Sequence, residues 1–500
     1  MHELAYYHPD DADTIRICSN CITDSFLSQK VRAEGEEATC SYCDETGSTI
    51  TLADLADRIH DVLEKQFYPT PSEPEGLEYT LAKEGHWERS GDPIVDVIAE
   101  VAGLDGNISE DIRACLSDSH GNPYDGGEDP YADDAQYAEQ GPDDLNFRDT
   151  WESFCQHVRW RSRFFSQYVE VSLDEIFGDL TSLKTFRGIS VIREISPSDD
   201  DRFVFRARVG FSQAELQNIL EYPSRELGPA PARLAKAGRM NAAGISVFYG
   251  AADMDTCVAE IRAPVGAAVV AGRFEFIRPV RLLDIDALAQ VYVKGSHFDP
   301  GFSTQRARAA FLGHLAQMIS RPVMPSDETL QYLPTQIVAE YLATKAKPPF
   351  DGVIFRSSQT NGEGRNIVLF NHASTVQRDD APPGTNFDLW MGAGPDDDFD
   401  PTIMIFEKIP AAVQPKPIEL FGVMVSPPDP VSPDRGQDAA WLPNREPTLC
   451  LDGKSVQVLQ VNGIRYSCQE RTVMRFRTKA DEEPSNPVVP RDKSAAEDLF

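Results

Sequence analysis

Two pairs of cysteines near the N-terminus constrain the fold more than any other feature of the chain. Cys18 and Cys21 form the first pair and Cys40 and Cys43 the second, with 18 residues between the pairs. A Cys-x2-Cys segment forms a tight turn whose two sulfurs point to one centre. Two such turns provide the four sulfurs of a tetrahedral metal site. The spacing predicts a zinc site in residues 1–48. We interpret this zinc as structural rather than catalytic, because four thiolates leave no open position for a substrate.

The charge of the chain limits the partners that it can bind. Its 500 residues include 80 acidic and 47 basic side chains, which give a formal net charge of -33 at pH 7. Because phosphate backbones require an excess of lysine and arginine, this balance disfavours nucleic acid as a partner. An anionic small molecule is compatible with it only where a few arginines are concentrated in one site.

The N-terminus and the apolar runs indicate the compartment. The first residues, MHELAYYHPDDADTIRIC, lack the basic start and the apolar stretch of a secretory signal. No apolar run reaches the length of a membrane-spanning helix. We therefore expect a cytoplasmic protein that has no membrane partner.

Residues 49–185 carry the periodicity of helices. Thr51 is the predicted N-cap of the first helix. The apolar stripe predicted for this helix comprises Leu52, Leu55, Ile59 and Leu63. Further helices are predicted in DPIVDVIAEVAGL, in residues 109–120, and in TWESFCQHVRWRSRFFSQYV, the last as one run to about Val169. A long acidic loop is predicted before that last run.

From residue 186 the pattern alternates between strands and helices. FVFRARV alternates as a strand does, and ISVFYGA, GAAVVAGRFEFI, VRLLDI, GVIFRSS and NIVLFN are also typical of strands. TQRARAAFLGHLAQMI and PTQIVAEYLATKA are typical of helices. The fold class predicted for the chain is α+β. The predicted parts are a zinc-binding segment (1–48), a helical domain (49–185), a mixed α+β domain (186–375), a C-terminal extension packed on it (376–480) and a disordered tail (481–500).

The mixed α+β domain carries an ordered set of polar and aromatic residues. In chain order the set is Arg206, Gly238, Arg239, Asn241, Tyr249, Glu260 and Ser357. No single member is specific, but their order, spacing and strand context together resemble the RES domain, which is named for an arginine, a glutamate and a serine. The resemblance extends from about Gly188 to Phe370. It implies a fold related to ADP-ribosyltransferases and an activity that consumes NAD.

Three positions correspond to the residues that give this family its name. The resemblance implies catalytic roles for Arg206, Glu260 and Ser357, with the adjacent Ser358 as the alternative serine. A guanidinium on a strand can hold a pyrophosphate through two parallel hydrogen bonds, and Arg206 is predicted to hold that of NAD. Departure of nicotinamide develops positive charge on the ribose, which a carboxylate stabilises. Glu260, expected in the first turns of a helix, is predicted to supply that carboxylate.

Three further positions are predicted to bind NAD. Arg239 and Asn241 match a Gly-Arg-aromatic-Asn pattern of the family, in which Met240 here replaces the aromatic residue. Arg239 is the second candidate for the pyrophosphate. Tyr249 matches a tyrosine at a strand end, whose ring could stack on the nicotinamide and exclude water.

Each of these residues taken singly also has an ordinary structural explanation. Arg206 could form a surface ion pair, Glu260 could be solvated on a helix, and Tyr249 could be a half-buried packing residue. The ordered set favours the functional interpretation over these three separate ones.

The helical region resembles the HEPN-type domain found upstream of some RES domains, through the segment WESFCQHVRWRSRFF. HEPN ribonucleases use an arginine and a downstream histidine with four to six residues between them, and Arg113 and His120 have that form. We interpret the pair as a chance feature of a structural domain, because His120 borders the acidic loop and the net charge disfavours RNA.

The resemblance implies that the chain cleaves the nicotinamide–ribose bond of NAD, with water or phosphate as acceptor, as RES toxins do. Such proteins act in bacterial growth arrest or phage defence, so an antitoxin or another regulatory protein is an expected partner. Three alternatives are open: transfer of ADP-ribose to a macromolecule, RNA cleavage of the HEPN type, and a non-catalytic sensor that binds a nucleotide.

Overall fold

The structure is a computed structural model, and it describes most of the chain. The described residues are 11–74, 79, 83, 87–121, 129–321, 323, 327–378, 381, 384–391, 403–410, 418–420, 423–425, 445–465 and 471. The predicted tail at 481–500 lies outside the described residues.

The described elements alternate between helices and strands along the chain. The helices are α1 Ser25–Glu34, α2 Leu52–Gln66, α3 Ile94–Ala102, α4 Gly106–His120, α5 Leu145–Trp160, α6 Gln167–Phe177, α7 Gln213–Glu221, α8 Pro223–Glu226, α9 Met254–Glu260, α10 Ile285–Leu288, α11 Pro300–Ser320 and α12 Glu328–Thr344. The strands are β1 Arg16–Cys18, β2 Glu36–Thr39, β3 Thr46–Thr51, β4 Phe67–Pro69, β5 Asp92–Pro93, β6 Gln136–Glu139, β7 Ile192–Ile195, β8 Phe203–Gly210, β9 Phe248–Ala251, β10 Ala268–Phe276, β11 Val280–Asp284, β12 Gly352–Arg356, β13 Arg365–Leu369, β14 Val376–Gln377, β15 Asn386–Met391, β16 Ile403–Lys408, β17 Ile418–Leu420, β18 Val423–Val425, β19 Leu449–Leu451 and β20 Gln457–Gln460. Mixed helix and sheet confirms the α+β prediction. Within the described part of the chain, every helix is too short or too polar to cross a bilayer.

The N-terminal part is built on one core that joins the cysteine segment to the first helices. β1, β3 and β2 form a small sheet, and its buried residues pack with those of α1 to α4. The Thr51 hydroxyl accepts a hydrogen bond from the backbone N–H of Asp54 at 3.0 Å, which confirms the predicted N-cap of α2. The predicted stripe of α2 is buried in this core and is also confirmed.

The segment from Leu145 to Phe177 is two helices, so the prediction of a single run was wrong. α5 ends at Trp160, and Phe165 in the connection has a left-handed backbone with φ of 54°. The hydroxyl of Ser166 then caps α6 by accepting a hydrogen bond from the backbone N–H of Val169 at 3.4 Å. A new N-cap and a left-handed residue break the helix although its apolar periodicity continues.

A ten-stranded sheet forms the centre of the second half of the chain. Its strands lie in the order β14, β19, β10, β8, β9, β13, β12, β11, β7, and β20 also pairs with β10. The pairs β11–β12 and β14–β19 are parallel and the others antiparallel. Strands β14, β19 and β20 come from the C-terminal extension, which thus adds its own strands to this sheet.

The two faces of this sheet are covered by different elements. One face, here called the helical face, carries Val353, Phe355 and Val368 among its buried residues. It packs on buried residues of α5, α6, α11 and α12. On the other face, here called the extension face, α7 packs on sheet residues that include Leu449 and Leu451 of β19. Because side chains alternate along a strand, this division tells which face each polar residue occupies.

Asp351 stabilises the sheet from the turn before β12. It accepts hydrogen bonds from the guanidinium of Arg278 and the backbone N–H of Arg281, both at 2.9 Å, and His372 lies 3.5 Å away. Burial raises the pKa of this carboxyl, but the hydrogen bonds from His372, Arg278 and Arg281 outweigh it and hold the pKa at about 2.

Asp351→Asn is therefore expected to lower the free energy of unfolding by about 2 kcal/mol at neutral pH. The pKa is lower in the folded than in the unfolded chain, so the stabilisation is complete above about pH 4 and is lost as the pH falls towards 2. Urea unfolding at several pH values measures this. The difference between wild type and variant should shrink between pH 4 and pH 2, and a constant difference would contradict the assignment.

Candidate functional site

The carboxylate of Glu260 is the centre of the residues that the structure brings together. Asp253 caps α9 by accepting hydrogen bonds from the backbone N–H and the hydroxyl of Thr256, at 2.7 and 2.8 Å. Small side chains beneath α9 let it lie close to the sheet. They are Ala207, Ala251, Val269 and Ala271 of the sheet, which pack with Cys257 of α9 and with Ala263. Glu260 is the last residue of α9, which spans seven residues and thus about two turns, so it lies at the negative end of the helix dipole.

Two neutral donors converge on one oxygen of this carboxylate. The hydroxyl of Ser357 donates to Oε1 of Glu260 at 2.6 Å, and the side-chain amide of Asn366 donates to the same atom at 2.7 Å. Ser357 and Asn366 point to the helical face, because each lies two residues from Phe355 or Val368 of that core. Among the described residues, Oε2 of Glu260 has no hydrogen-bond partner, so it is available to a ligand.

Ser357 and Ser358 have different environments. Ser357 is fully buried, and its hydroxyl also accepts a hydrogen bond from the backbone N–H of Gln359 at 3.2 Å. Ser358 is exposed, and its hydroxyl accepts a hydrogen bond from the side-chain amide of Gln359 at 3.4 Å. The geometry therefore connects Ser357, and not Ser358, to the carboxylate.

Asn366 is a site residue that sequence reasoning missed. It is buried in β13, within the segment RNIVLF. The apolar residues of this segment predict a strand, but they do not mark its asparagine as a functional residue. The available signal was an amide at the start of an otherwise apolar strand, since such a group must find a hydrogen-bond partner when it is buried.

Asn241 and Tyr249 hold the loop that precedes β9. The hydroxyl of Tyr249 donates to Oδ1 of Asn241 at 2.9 Å and accepts from the backbone N–H of Met240 at 3.1 Å. The amide nitrogen of Asn241 donates to the carbonyls of Lys236, Ala242 and Ile245. Burial raises the pKa of Tyr249 to about 12, so its hydroxyl stays protonated. The polar atoms of both residues thus shape the loop, and only the half-buried ring of Tyr249 is left for a ligand.

Arg239 and Arg262 place two positive charges near the side chain of Tyr332. The guanidinium of Arg239 lies 5.7 Å from the ring centroid of Tyr332, and one of its nitrogens donates to the carbonyl of Ile319 at the end of α11. Burial raises the pKa of Tyr332, while the charges of Arg239 and Arg262 act to lower it. Arg262 is exposed, follows Glu260 by two residues and has a left-handed backbone with φ of 47°. Sequence reasoning missed Arg262, which no motif marks.

Arg206 lies on the opposite face of the sheet from Glu260. It faces the same way as Val204, which is buried on the extension face, and its guanidinium lies 4.8 Å from the ring centroid of Phe248 in the same core. Its Nη1 atom is buried and has no hydrogen-bond partner in the described part of the chain. Burial lowers the pKa of Arg206 to about 10, so it stays charged at neutral pH. The charge of Arg206 acts on Tyr249 and on Cys257 of α9, but among the described residues no hydrogen bond or ion pair joins Arg206 to Glu260, Ser357 or Arg239.

The side chains of Arg113 and His120 both contact other residues of the N-terminal part of the chain. Arg113 forms ion pairs with Glu110 at 3.0 Å and Asp133 at 2.6 Å. The ring of His120 stacks on that of His60 at 3.7 Å between centroids. A guanidinium between two carboxylates is a poor phosphate ligand, so this geometry favours the interpretation of the pair as structural.

The four cysteines converge on one point between β1 and the β2–β3 turn. The Sγ atom of Cys18 lies 3.7 Å from the Sγ atom of Cys21 and 3.5 Å from that of Cys43. The Sγ atoms of Cys21 and Cys40 are 3.8 Å apart. A tetrahedral site with zinc–sulfur bonds of about 2.3 Å has edges of about 3.8 Å. The cluster therefore fits a metal ion held by four thiolates, and all four sulfurs lie within 4.8 Å of one another.

Comparison with known protein families finds two domain models that match parts of the chain. A model of the RES domain matches residues 214–391, and a model of the HEPN/RES N-terminal domain 1 matches residues 33–171. The first range includes Arg239, Tyr249, Glu260 and Ser357, and it begins after Arg206. No curated protein and no solved structure matches the chain. The chain contains a RES domain that is preceded by an HEPN/RES N-terminal domain 1.

Proposed function

We propose that this chain cleaves the nicotinamide–ribose bond of NAD at the Glu260 site. The observation that carries the proposal is the pair of donors on one oxygen of Glu260, while the other oxygen has no partner among the residues that the structure describes. The RES match supports a toxin-like enzyme of this family, and NAD is the substrate that the family resemblance implies.

The chemistry of the site suits a reaction that develops positive charge on a sugar. The donors Ser357 and Asn366 are both neutral, so they hold Glu260 in place without cancelling its negative charge. As nicotinamide leaves, the free oxygen of Glu260 stabilises the oxocarbenium character of the ribose. The ring of Tyr249 borders the same face and excludes water from the departing base.

The pyrophosphate of NAD is assigned to Arg239 and Arg262, in place of the sequence-based assignment to Arg206. Both arginines act on Tyr332, and Arg262 follows Glu260 by two residues, whereas Arg206 faces the other side of the sheet. Arginines bind phosphate oxygens through charge-assisted hydrogen bonds. The left-handed backbone of Arg262 is a strained conformation for a residue of this size, and strain of this kind is concentrated at binding sites.

Removal of either donor is expected to slow turnover. Ser357→Ala and Asn366→Ala each remove one hydrogen bond to a charged group, worth roughly 1.5–3 kcal/mol, and should lower kcat about tenfold or more with a smaller change in KM. Ser358→Ala is the matched control, because its hydroxyl is exposed. Steady-state nicotinamide release checks this, and equal rates for the Ser357→Ala and Ser358→Ala variants would contradict the arrangement.

The remaining predictions about cofactors and partners form part of the same proposal. Zinc at the four cysteines is assigned a structural role, because the cluster is part of the N-terminal core and lies outside the Glu260 site. An antitoxin or other regulatory protein is the proposed macromolecular partner, and the cytoplasm the proposed compartment.

Product analysis tests the proposed function and separates it from its rivals. Purified protein is incubated with NAD, with and without phosphate, and the products are separated by chromatography. Free nicotinamide with ADP-ribose indicates hydrolysis, and a phosphorylated ADP-ribose that needs added phosphate indicates phosphorolysis. Label from NAD retained on protein or nucleic acid would favour ADP-ribosyl transfer instead. Intact NAD under all conditions would contradict the proposal.

A further inference from the structure

An arginine stands next to each of the two residues that donate hydrogen bonds to Glu260. Arg356 is the last residue of β12 and precedes Ser357, and Arg365 is the first residue of β13 and precedes Asn366. The two arginines lie directly opposite each other in this antiparallel pair of strands. Because side chains alternate, they point to the extension face while the donors point to the helical face. Like charges in directly opposite positions destabilise a strand pair, so other groups must offset them here.

Two buried carboxylates offset the charges of these arginines. Asp284 ends β11, and Asp286 follows it in α10. Nη1 of Arg365 lies 3.2 Å from Oδ2 of Asp284, and Nε of Arg356 lies 3.5 Å from Oδ1 of Asp286. Each aspartate is more than nine-tenths buried, whereas both arginines are exposed. A buried carboxylate is costly unless it is paired, so each aspartate favours one position of its arginine.

The burial of Asp286 carries a cost that these contacts only partly repay. Its Oδ2 atom is buried and has no hydrogen-bond partner within the described ranges of the chain. Burial raises the pKa of this carboxyl, while the charge and the backbone N–H of Arg356 act to lower it. A buried polar atom without a partner lowers stability, and such groups are concentrated where function requires them.

The two strand ends are also joined to the helix that carries Glu260. The backbone N–H of Ser357 donates to the carbonyl of Gly364 at 2.8 Å, which closes the loop between the strands. The carbonyl of Arg365 accepts from the backbone N–H of Ala252 at 2.9 Å, just before the N-cap of α9. A shift of either strand end would therefore move the donors relative to the carboxylate.

We propose that Asp284 and Asp286 are positioning residues for the reaction at Glu260. Each carboxylate holds the arginine that precedes one donor, and through it the donor itself. Asp286 acts on Ser357 in this way, and Asp284 acts on Asn366. The inference rests on the proposed function, because an effect on turnover presupposes the catalytic role of Glu260.

Amide hydrogen exchange of the full chain without NAD tests the structural step. Asp284→Asn and Asp286→Asn remove the charge but keep the shape, and asparagine at 284 can also cap α10. In both variants, residues 357–366 should exchange about threefold faster or more than in wild type. Asp201→Asn is the matched control, because Asp201 pairs with Arg193 at 2.6 Å on the edge strand of the same sheet. Wild-type exchange at 357–366 in both test variants overturns the proposal, whether or not the chain cleaves NAD.

Steady-state nicotinamide release tests the functional step. Each variant should lower kcat about three- to tenfold and leave KM within about twofold of wild type. In a Ser357→Ala background, Asp286→Asn should lower kcat less than about twofold further, since the donor on which it acts is already absent. Asp284→Asn should behave in the same way in an Asn366→Ala background.

The combined variants distinguish positioning from a general loss of stability. Losses that multiply in both backgrounds would overturn the proposal, because they show that the aspartates act independently of the donors. Circular dichroism of every variant confirms that it is folded. A wild-type chain that releases no nicotinamide refutes the proposed function, and hydrogen exchange then decides separately on the two aspartates.

Discussion

Glu260→Gln is expected to lower nicotinamide release at least 100-fold while the protein stays folded. Glutamine has nearly the shape of glutamate, but it carries no charge and cannot stabilise a cationic ribose. Loss of a single preorganised electrostatic group from an active site typically costs a factor of 10² to 10³ in turnover. The rate is measured with saturating NAD by chromatography of the released base.

Asp255→Asn provides the matched control for this result. Asp255 is an exposed carboxylate in the first turn of the same short helix, and the donors Ser357 and Asn366 bond to Glu260 instead. Its variant should turn over NAD as wild type does, and the melting temperature of both variants should be within a few degrees of wild type. A Glu260→Gln variant that releases nicotinamide at the wild-type rate would refute the catalytic assignment of this carboxylate.

Cys40→Ser is expected to release the metal and to unfold the N-terminal part of the chain. Cys40 is fully buried, and the neighbouring Tyr42 donates a 2.7 Å hydrogen bond to Asp111 of α4, so the cluster is joined to the helical core. Binding of zinc by four thiolates contributes about 10 kcal/mol or more to the folding of small domains, which this core would lose.

Metal analysis and circular dichroism check this expectation. Wild type should contain one zinc ion per chain, and Cys40→Ser much less, with a loss of helical signal. Cys450→Ser, outside the cluster, should keep the metal and the signal. A Cys40→Ser variant with the helical content and melting curve of wild type would contradict the structural role of the cluster.

Local signals in the sequence were sufficient to predict many individual elements. The Thr51 cap, the buried stripe of α2 and the strands of the central sheet depend on residues close together in the chain. The Cys-x2-Cys spacing likewise predicts a local geometry, and the two cysteine pairs do meet. Such features follow from periodicity and capping alone.

The placement of Arg206 and Asn366 depends on information that the sequence does not carry. Both were visible as polar residues in strands, but which face of the sheet each occupies depends on how distant segments cover it. Packing of α9 over the small residues of β8 and β10 puts Glu260 on the helical face, where it meets Asn366 and not Arg206. The order of the family residues therefore does not tell on which face of the sheet the arginine lies.

Hydrogen exchange of the Glu260→Gln variant, with and without NAD, tests the central claim most directly, because this variant should bind NAD without consuming it. We predict that NAD protects the loop at 238–249, the end of α9 and residues 357–366. Protection confined to the extension face around Arg206, or no protection at saturating NAD, would contradict a dinucleotide site on the helical face of the sheet.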